Sequence, residues 1–166
     1  MKSIAISKRT ILRLIVFGLI MNSSLMTSGQ TAGNFAGMWE IDHSKSDAEF
    51  KDYQITCTIE QSATAITVKQ DFVMEGGEKS SMMPITYNLD GKEISKEQQG
   101  GTDKITAMLS PDKKTLTTKF VRTMNGSDYG SMTIYTLSED SKTLTIKSSD
   151  LKGESPMVQV YNRKKV

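Results

Sequence analysis

The sequence predicts an all-β chain of about ten short antiparallel strands gathered into one domain. Three observations predict it. Apolar residues recur with period 2 along nearly all of the chain after residue 30, which gives each strand one buried and one wetted face. Turn residues interrupt these runs at intervals of roughly 10–15 residues, the spacing of hairpins rather than of crossover helices. Only Ser46-Asp47-Ala48-Glu49 carries a helical signal, in which Ser46 and Glu49 fit a capping box.

Residues 1–29 stand apart from that pattern. Lys2, Lys8, Arg9 and Arg13 make a basic start with no acid. An apolar run from Ile11 to Met21 follows, and Asn22 to Gly29 is small and polar. This is the tripartite form of a secretory signal peptide, with Thr27 and Gly29 at the small cleavage positions. The apolar run falls short of the roughly 20 residues a membrane span needs. Cleavage is expected after Gly29 or Gln30, and the mature chain is expected outside the cytoplasm, periplasmic or extracellular, without membrane insertion. The expected domain is 30–166.

The elements follow in order. A first strand runs near Trp39, and a helix of one or two turns near Asp47 to Asp52 bridges to the second. Gln54 to Gln61 sets Ile55, Cys57 and Ile59 against threonines and Glu60. Ala65 to Met74 sets Ile66, Val68 and Phe72 against Thr67, Lys69 and Asp71. Met83, Ile85, Tyr87 and Leu89 share one face. So do Ile105, Ala107 and Leu109, then Leu116 and Phe120, Tyr135 and Leu137, and Leu144 and Ile146. Between them lie Glu75-Gly76-Gly77, Asp90-Gly91, Gly100-Gly101, Asn125-Gly126 and Lys152-Gly153. Asp-Gly and Asn-Gly supply the positive φ values of tight hairpins. One hairpin repeats after 28 residues: Leu109-Ser110-Pro111-Asp112-Lys113-Lys114-Thr115-Leu116 matches Leu137-Ser138-Glu139-Asp140-Ser141-Lys142-Thr143-Leu144. Pattern alone leaves a closed barrel and a two-sheet sandwich both open.

Composition excludes several function classes. The chain has 166 residues and a formal charge of +2, but the first 29 residues carry +4, leaving 17 basic against 19 acidic residues in the rest. A slightly acidic body argues against nucleic acid as a partner. One Cys and one His exclude a disulfide framework and any multi-Cys or multi-His metal site.

Phe35-Ala36-Gly37-Met38-Trp39 resembles the first-strand motif of the calycin superfamily, which includes lipocalins and fatty-acid-binding proteins. The ending Val158 to Val166 is similar to a calycin final strand. More narrowly, Gly37-x-Trp39-x-Ile41-Asp42 followed by Ser44-Lys45-Ser46, the repeated Leu-Ser-x-Asp hairpins and Tyr161-x-Arg163-Lys164 resemble the lipocalin-like domain proteins exported by Bacteroidetes-type bacteria. The resemblance spans essentially residues 33–166 and implies a single up-and-down antiparallel β-barrel of about 8–10 strands with one short helix. It also implies a barrel floor in which Arg163 lies over Trp39 and Gly37 lets the backbone approach. A planar guanidinium on an indole face contributes about 0.5–2 kcal/mol. Two departures stand out. Only Asp42 to Tyr53 is available where fatty-acid-binding proteins carry a two-helix lid. Their carboxylate-holding Arg-x-Tyr reads Gln159-x-Tyr161 here, so that site does not carry over.

Candidate ligand-binding residues are Arg122, Tyr87, Phe120, Tyr135, Tyr161 and Gln159. Parity places Arg122 on the inward face, where a cation needs an internal carboxylate, a ligand anion or water. The alternative is a strand-end residue reaching solvent beside Asn125-Gly126. Gln70, Thr118, Tyr87, Tyr135, Gln159 and Tyr161 share faces with apolar residues. Polar flecks of this kind suit a hydrated cavity, or a barrel flattened at its ends. Eight methionines, including Met82 and Met83, follow residue 30; they suit an adaptable pocket or simple gap-filling. Cys57 lies on an apolar face as an inert thiol. His43 is in a loop, open to an axial haem role but better read as solvated. No nucleophile elbow, paired acids or metal-ligand spacing is present, so no enzyme and no cofactor are expected. The sequence therefore reads as an exported, monomeric, non-catalytic barrel that binds a small, largely apolar molecule. The alternative is a cell-envelope protein-binding or inhibitor module with a filled barrel.

Overall fold

The structure is a computed structural model that describes residues 33–165 except Glu75 and Gln99. The expected signal peptide and its cleavage site lie outside the described residues. Eleven strands follow one another: β1 (Gly37–Ile41), β2 (Tyr53–Gln61), β3 (Ala65–Met74), β4 (Lys79–Ser81), β5 (Ile85–Asn88) and β6 (Ile94–Gln98). The remainder are β7 (Gly101–Leu109), β8 (Thr115–Met124), β9 (Ser127–Leu137), β10 (Thr143–Asp150) and β11 (Met157–Arg163). The expected count of eight to ten becomes eleven because one strand is broken in two. Both pieces pair with β3: β4 through Asp71–Val73 and β5 through Ala65–Val68. The register slips by one residue between them, so Met82-Met83-Pro84 forms a bulge opposite Lys69 and Gln70. Pro84 has no N–H to give to a ladder, which confines it to such a site.

The sheet is an antiparallel meander in the order β4-β3-β2-β1-β11-β10-β9-β8-β7-β6, with β5 beside β4 on β3. β1 bonds to both β2 and β11, so the first and last strands join. The two remaining edges, β4–β5 and β6, are not hydrogen-bonded to each other. Both edges nonetheless line one cavity with the intervening strands, so the sheet curls into a barrel with one open seam.

Local chemistry explains the turns. Asn125 and Gly126 have φ of 50° and 76°, the two positive values of a type I′ hairpin. The repeated hairpins share one set of hydrogen bonds. Ser110 Oγ accepts the Thr115 N–H and donates to Asp112 Oδ1, and Asp112 Oδ1 accepts the Lys114 N–H. Ser138, Asp140, Lys142 and Thr143 make the same set. Asp90-Gly91 is different: it belongs to the connection between β5 and β6, which do not pair, and closes no hairpin. The expected helix is a single 3₁₀ turn, Ala48–Phe50, and the capping box does not form. Ser46 and Asp47 instead bond the backbone of β11 at Val160 and Val158, strapping this segment to the strand beyond the end of β1.

Inward faces build the core. Phe35, Trp39, Ile66, Leu116, Leu144 and Tyr161 are wholly buried at one end of the barrel. Arg163 closes that end. Its guanidinium carbon sits 4.1 Å from the Trp39 ring centroid, and it donates to the carbonyls of Asn34, Ala36 and Ser141. Trp39 Nε1 donates to the Phe35 carbonyl at 3.0 Å. Gly37 has φ of 140°, and a Cβ there would lie 2.8 Å from Arg163 Nη1, so both the backbone and the space call for glycine.

Candidate functional site

The other end of the barrel is hollow. A cavity of about 700 Å³ opens between the walls, within the roughly 300–1,000 Å³ of small-molecule sites. It forms because the inward positions change character along each strand. On β8 the inward series runs Leu116, Thr118, Phe120, Arg122. On β9 it runs Leu137, Tyr135, Thr133, Ser131; on β10, Leu144, Ile146, Ser148. Large aliphatic side chains fill the floor end, and shorter or polar ones stand where the cavity is.

Apolar surface comes from Val68 and Ile85 on one side and from Ile105, Phe120 and Ile146 on the other. Neutral polar groups lie among them. Gln70 Nε2 donates to Tyr161 Oη at 2.8 Å and to Gln159 Oε1 at 3.2 Å. Thr133 and Ser148 share a hydrogen bond of 3.2 Å, and Thr118 Oγ1 donates weakly to the Thr133 carbonyl. Tyr87 and Tyr135 meet across the cavity with ring centroids 6.4 Å apart and planes tilted by 59°, a favoured aromatic geometry. Burial, with Tyr87 alongside, pushes the Tyr135 hydroxyl well above its ordinary range; burial raises that of Tyr161 too. Both are neutral donors and acceptors. Beneath them burial pushes the Cys57 thiol up to about 12, the state of an inert core thiol.

One charged pair stands at the rim, with Asp103 on the cavity wall and the Arg122 side chain off it and 40% exposed. Asp103 and Arg122 are direct cross-strand partners on β7 and β8. Arg122 Nε and Nη2 donate to the two carboxylate oxygens, each at 2.5 Å, the bidentate fork that arginine favours. Asp103 is buried, and the hydrogen bonds from Arg122 hold its carboxyl below the usual range. The guanidinium also lies 5.9 Å from the Phe120 ring.

The mouth lies at the seam. Met82, Met83 and Pro84 of the bulge stand on one side and Lys96 and Gln98 of β6 on the other. Met83 is 85% exposed. The two edges cannot close over one another here, because the bulge turns β4 and β5 out of a common ladder.

Of the residues singled out from sequence, Tyr87, Phe120, Tyr135 and Gln159 line the cavity. Tyr161 stands behind the wall and reaches it through Gln70. Arg122 is not on the wall; its charge is met by a carboxylate. Gly37, Trp39 and Arg163 meet at the floor. Sequence reasoning missed Asp103, Ser131, Thr133, Ser148 and the bulge. Asp103 had a signal, since it precedes Ile105 and Ala107 on the same face. Among the described residues no three His, Cys, Asp or Glu side chains gather where they could hold a metal, and His43 is exposed.

No protein-family model matches the chain, and no curated protein matches it. Among solved structures it is similar to secretory abundant heat soluble protein 4 from Ramazzottius varieornatus. The TM-score is 0.49 at 14% identity, over 78% of this chain and 94% of that one. A second secretory abundant heat soluble protein from the same organism gives 0.47 at 11% identity, over 81% and 98%. The fatty-acid-binding protein of Manduca sexta gives 0.43 at 10% identity, over 78% and 99%. Likeness at this level fixes neither ligand nor function.

Proposed function

We propose that this chain is an exported, non-catalytic carrier of the lipocalin-like kind, which holds a small, largely apolar molecule in its cavity. One observation carries the reading: the cavity of about 700 Å³ that apolar and neutral polar side chains line jointly and that reaches solvent at the seam. A filled interior would suit the inhibitor reading; this hollow one supports the carrier. The side chains on the wall supply hydrogen bonds and contact area, and the Cys57 thiol lies off the wall, buried and protonated. The basic, apolar and polar segments of residues 1–29 support export.

Titration with N-phenyl-1-naphthylamine, an uncharged fluorescent probe of apolar sites, tests the reading. The mature protein is expected to bind one equivalent with a rise in emission. Ser131→Trp, which places a large ring on the cavity wall, is expected to abolish binding while the β-sheet circular dichroism stays. No binding by the parent protein, or undiminished binding by a folded Ser131→Trp, would contradict it.

A further inference from the structure

We infer that the cavity selects an amphiphile with an uncharged, hydrogen-bonding head, such as an alcohol or amide, over the carboxylate of the same chain length. The inference rests on the carrier reading and specifies its ligand class.

The inventory of charge on the wall carries it. Only two charged side chains line the cavity among the described residues: Asp103, and Lys96 at the mouth. Lys96 is solvent-exposed. Arg122 is off the wall, its side chain 40% exposed, and is not free to meet a ligand anion. Both carboxylate oxygens of Asp103 occupy its fork, and the pair is neutral as a unit. A fatty carboxylate drawn into the cavity past Lys96, whose ammonium stays in solvent at the mouth, would leave water and meet no cation on the inner wall, where Asp103 would repel it. A neutral head meets the opposite situation. Gln70 Oε1 and Gln159 Nε2 make no hydrogen bond among the described residues, although their partner atoms do. They leave one acceptor and one donor group on the same stretch of wall. Thr133 and Ser148 add hydroxyls nearby. A hydroxyl or primary amide both donates and accepts, so it matches such a set; a carboxylate only accepts.

The same geometry states how the preference would be reversed. Asp103→Asn keeps the shape of the side chain and removes its charge from the wall, which leaves the Arg122 charge beside the cavity without a compensating carboxylate. The site then changes from neutral to net positive, which favours a carboxylate.

The experiment measures displacement of N-phenyl-1-naphthylamine by 1-dodecanol and by dodecanoate at neutral pH, in three proteins. For the parent, dodecanol is expected to bind at least about tenfold more tightly than dodecanoate, as burial of an unpaired carboxylate demands. Asp103→Asn is expected to gain at least about tenfold for dodecanoate. The double variant Asp103→Asn with Arg122→Gln, neutral at both positions, is expected to show no such gain. Equal or tighter binding of dodecanoate by the parent would overturn the inference and leave the carrier intact. A folded Asp103→Asn without a gain would overturn it too. Should Asp103→Asn not fold, the comparison in the parent decides alone. Failure of the probe and both amphiphiles to bind would overturn the carrier reading itself, and this inference with it.

Discussion

Arg163 links the first and last strands through a single side chain. It stacks on Trp39, bonds carbonyls of the segment before β1 and the turn before β10, and rests against Gly37, where any Cβ would intrude. Arg163→Ala removes the stack and strands those carbonyls. The expected loss is about 2–3 kcal/mol in urea unfolding, and Arg163→Lys should restore only part of it, because an ammonium cannot fork or stack as a guanidinium does. Trp39 is the only tryptophan and wholly buried, so its emission reports the transition. Cys57 gives a second prediction. A thiol raised to about 12 stays protonated in the fold. Its contribution to stability is complete below the ordinary thiol range near 8.5 and is lost as pH rises towards 12. The thermal midpoint should therefore fall above about pH 8.5, and Ellman's reagent should label Cys57 only on unfolding. Trp39, Arg163 and Cys57 were legible in the sequence because a motif or a strand's parity marks each. The Asp103–Arg122 pair was half legible. Parity turned Arg122 inward, but its partner was hidden until the β7–β8 register placed Asp103 opposite.

At the scale of elements, the period-2 pattern located the strands because each has one wet face, and most turns followed from residues that take positive φ. The Ser-x-Asp-x-Lys hairpins are the most sequence-determined pieces. Each is closed by one serine hydroxyl and one carboxylate acting locally. Ser110→Ala and Ser138→Ala should each cost about 1 kcal/mol. The carboxyls of Asp112 and Asp140 are held low, first by these hydroxyls and then by backbone N–H groups. Asp42, Asp71 and Asp103 are low as well. A lowered carboxyl stabilises the fold above its unfolded value, near 3.9, and that contribution is lost as pH falls through the folded one. Urea midpoints should thus drop below about pH 4, and less steeply in the Asp112→Asn, Asp140→Asn double variant. Two elements escaped the pattern. Pro84 marks the break between β4 and β5, but nothing short of the register shows that the strand resumes one residue out of step. Ser46 and Glu49 look like a capping box, yet tertiary bonds to β11 claim Ser46 and Asp47 instead.

For the molecule as a whole, the junction of β1 with β11 fixes where the wall closes, and the bulge fixes where it does not. A cavity at one end follows from the side chains: aliphatic at the floor, shorter and polar towards the seam. That gradient was visible residue by residue in Thr118, Gln70 and Gln159. The hollow itself was not, because the same series would also fit a barrel flattened at its ends. If the hollow carries a small molecule, native mass spectrometry of the mature protein, purified from its own host, will find it. The expected result is a retained small, uncharged, largely apolar molecule that is released on unfolding. A bare protein mass, unchanged after incubation with N-phenyl-1-naphthylamine, would contradict it.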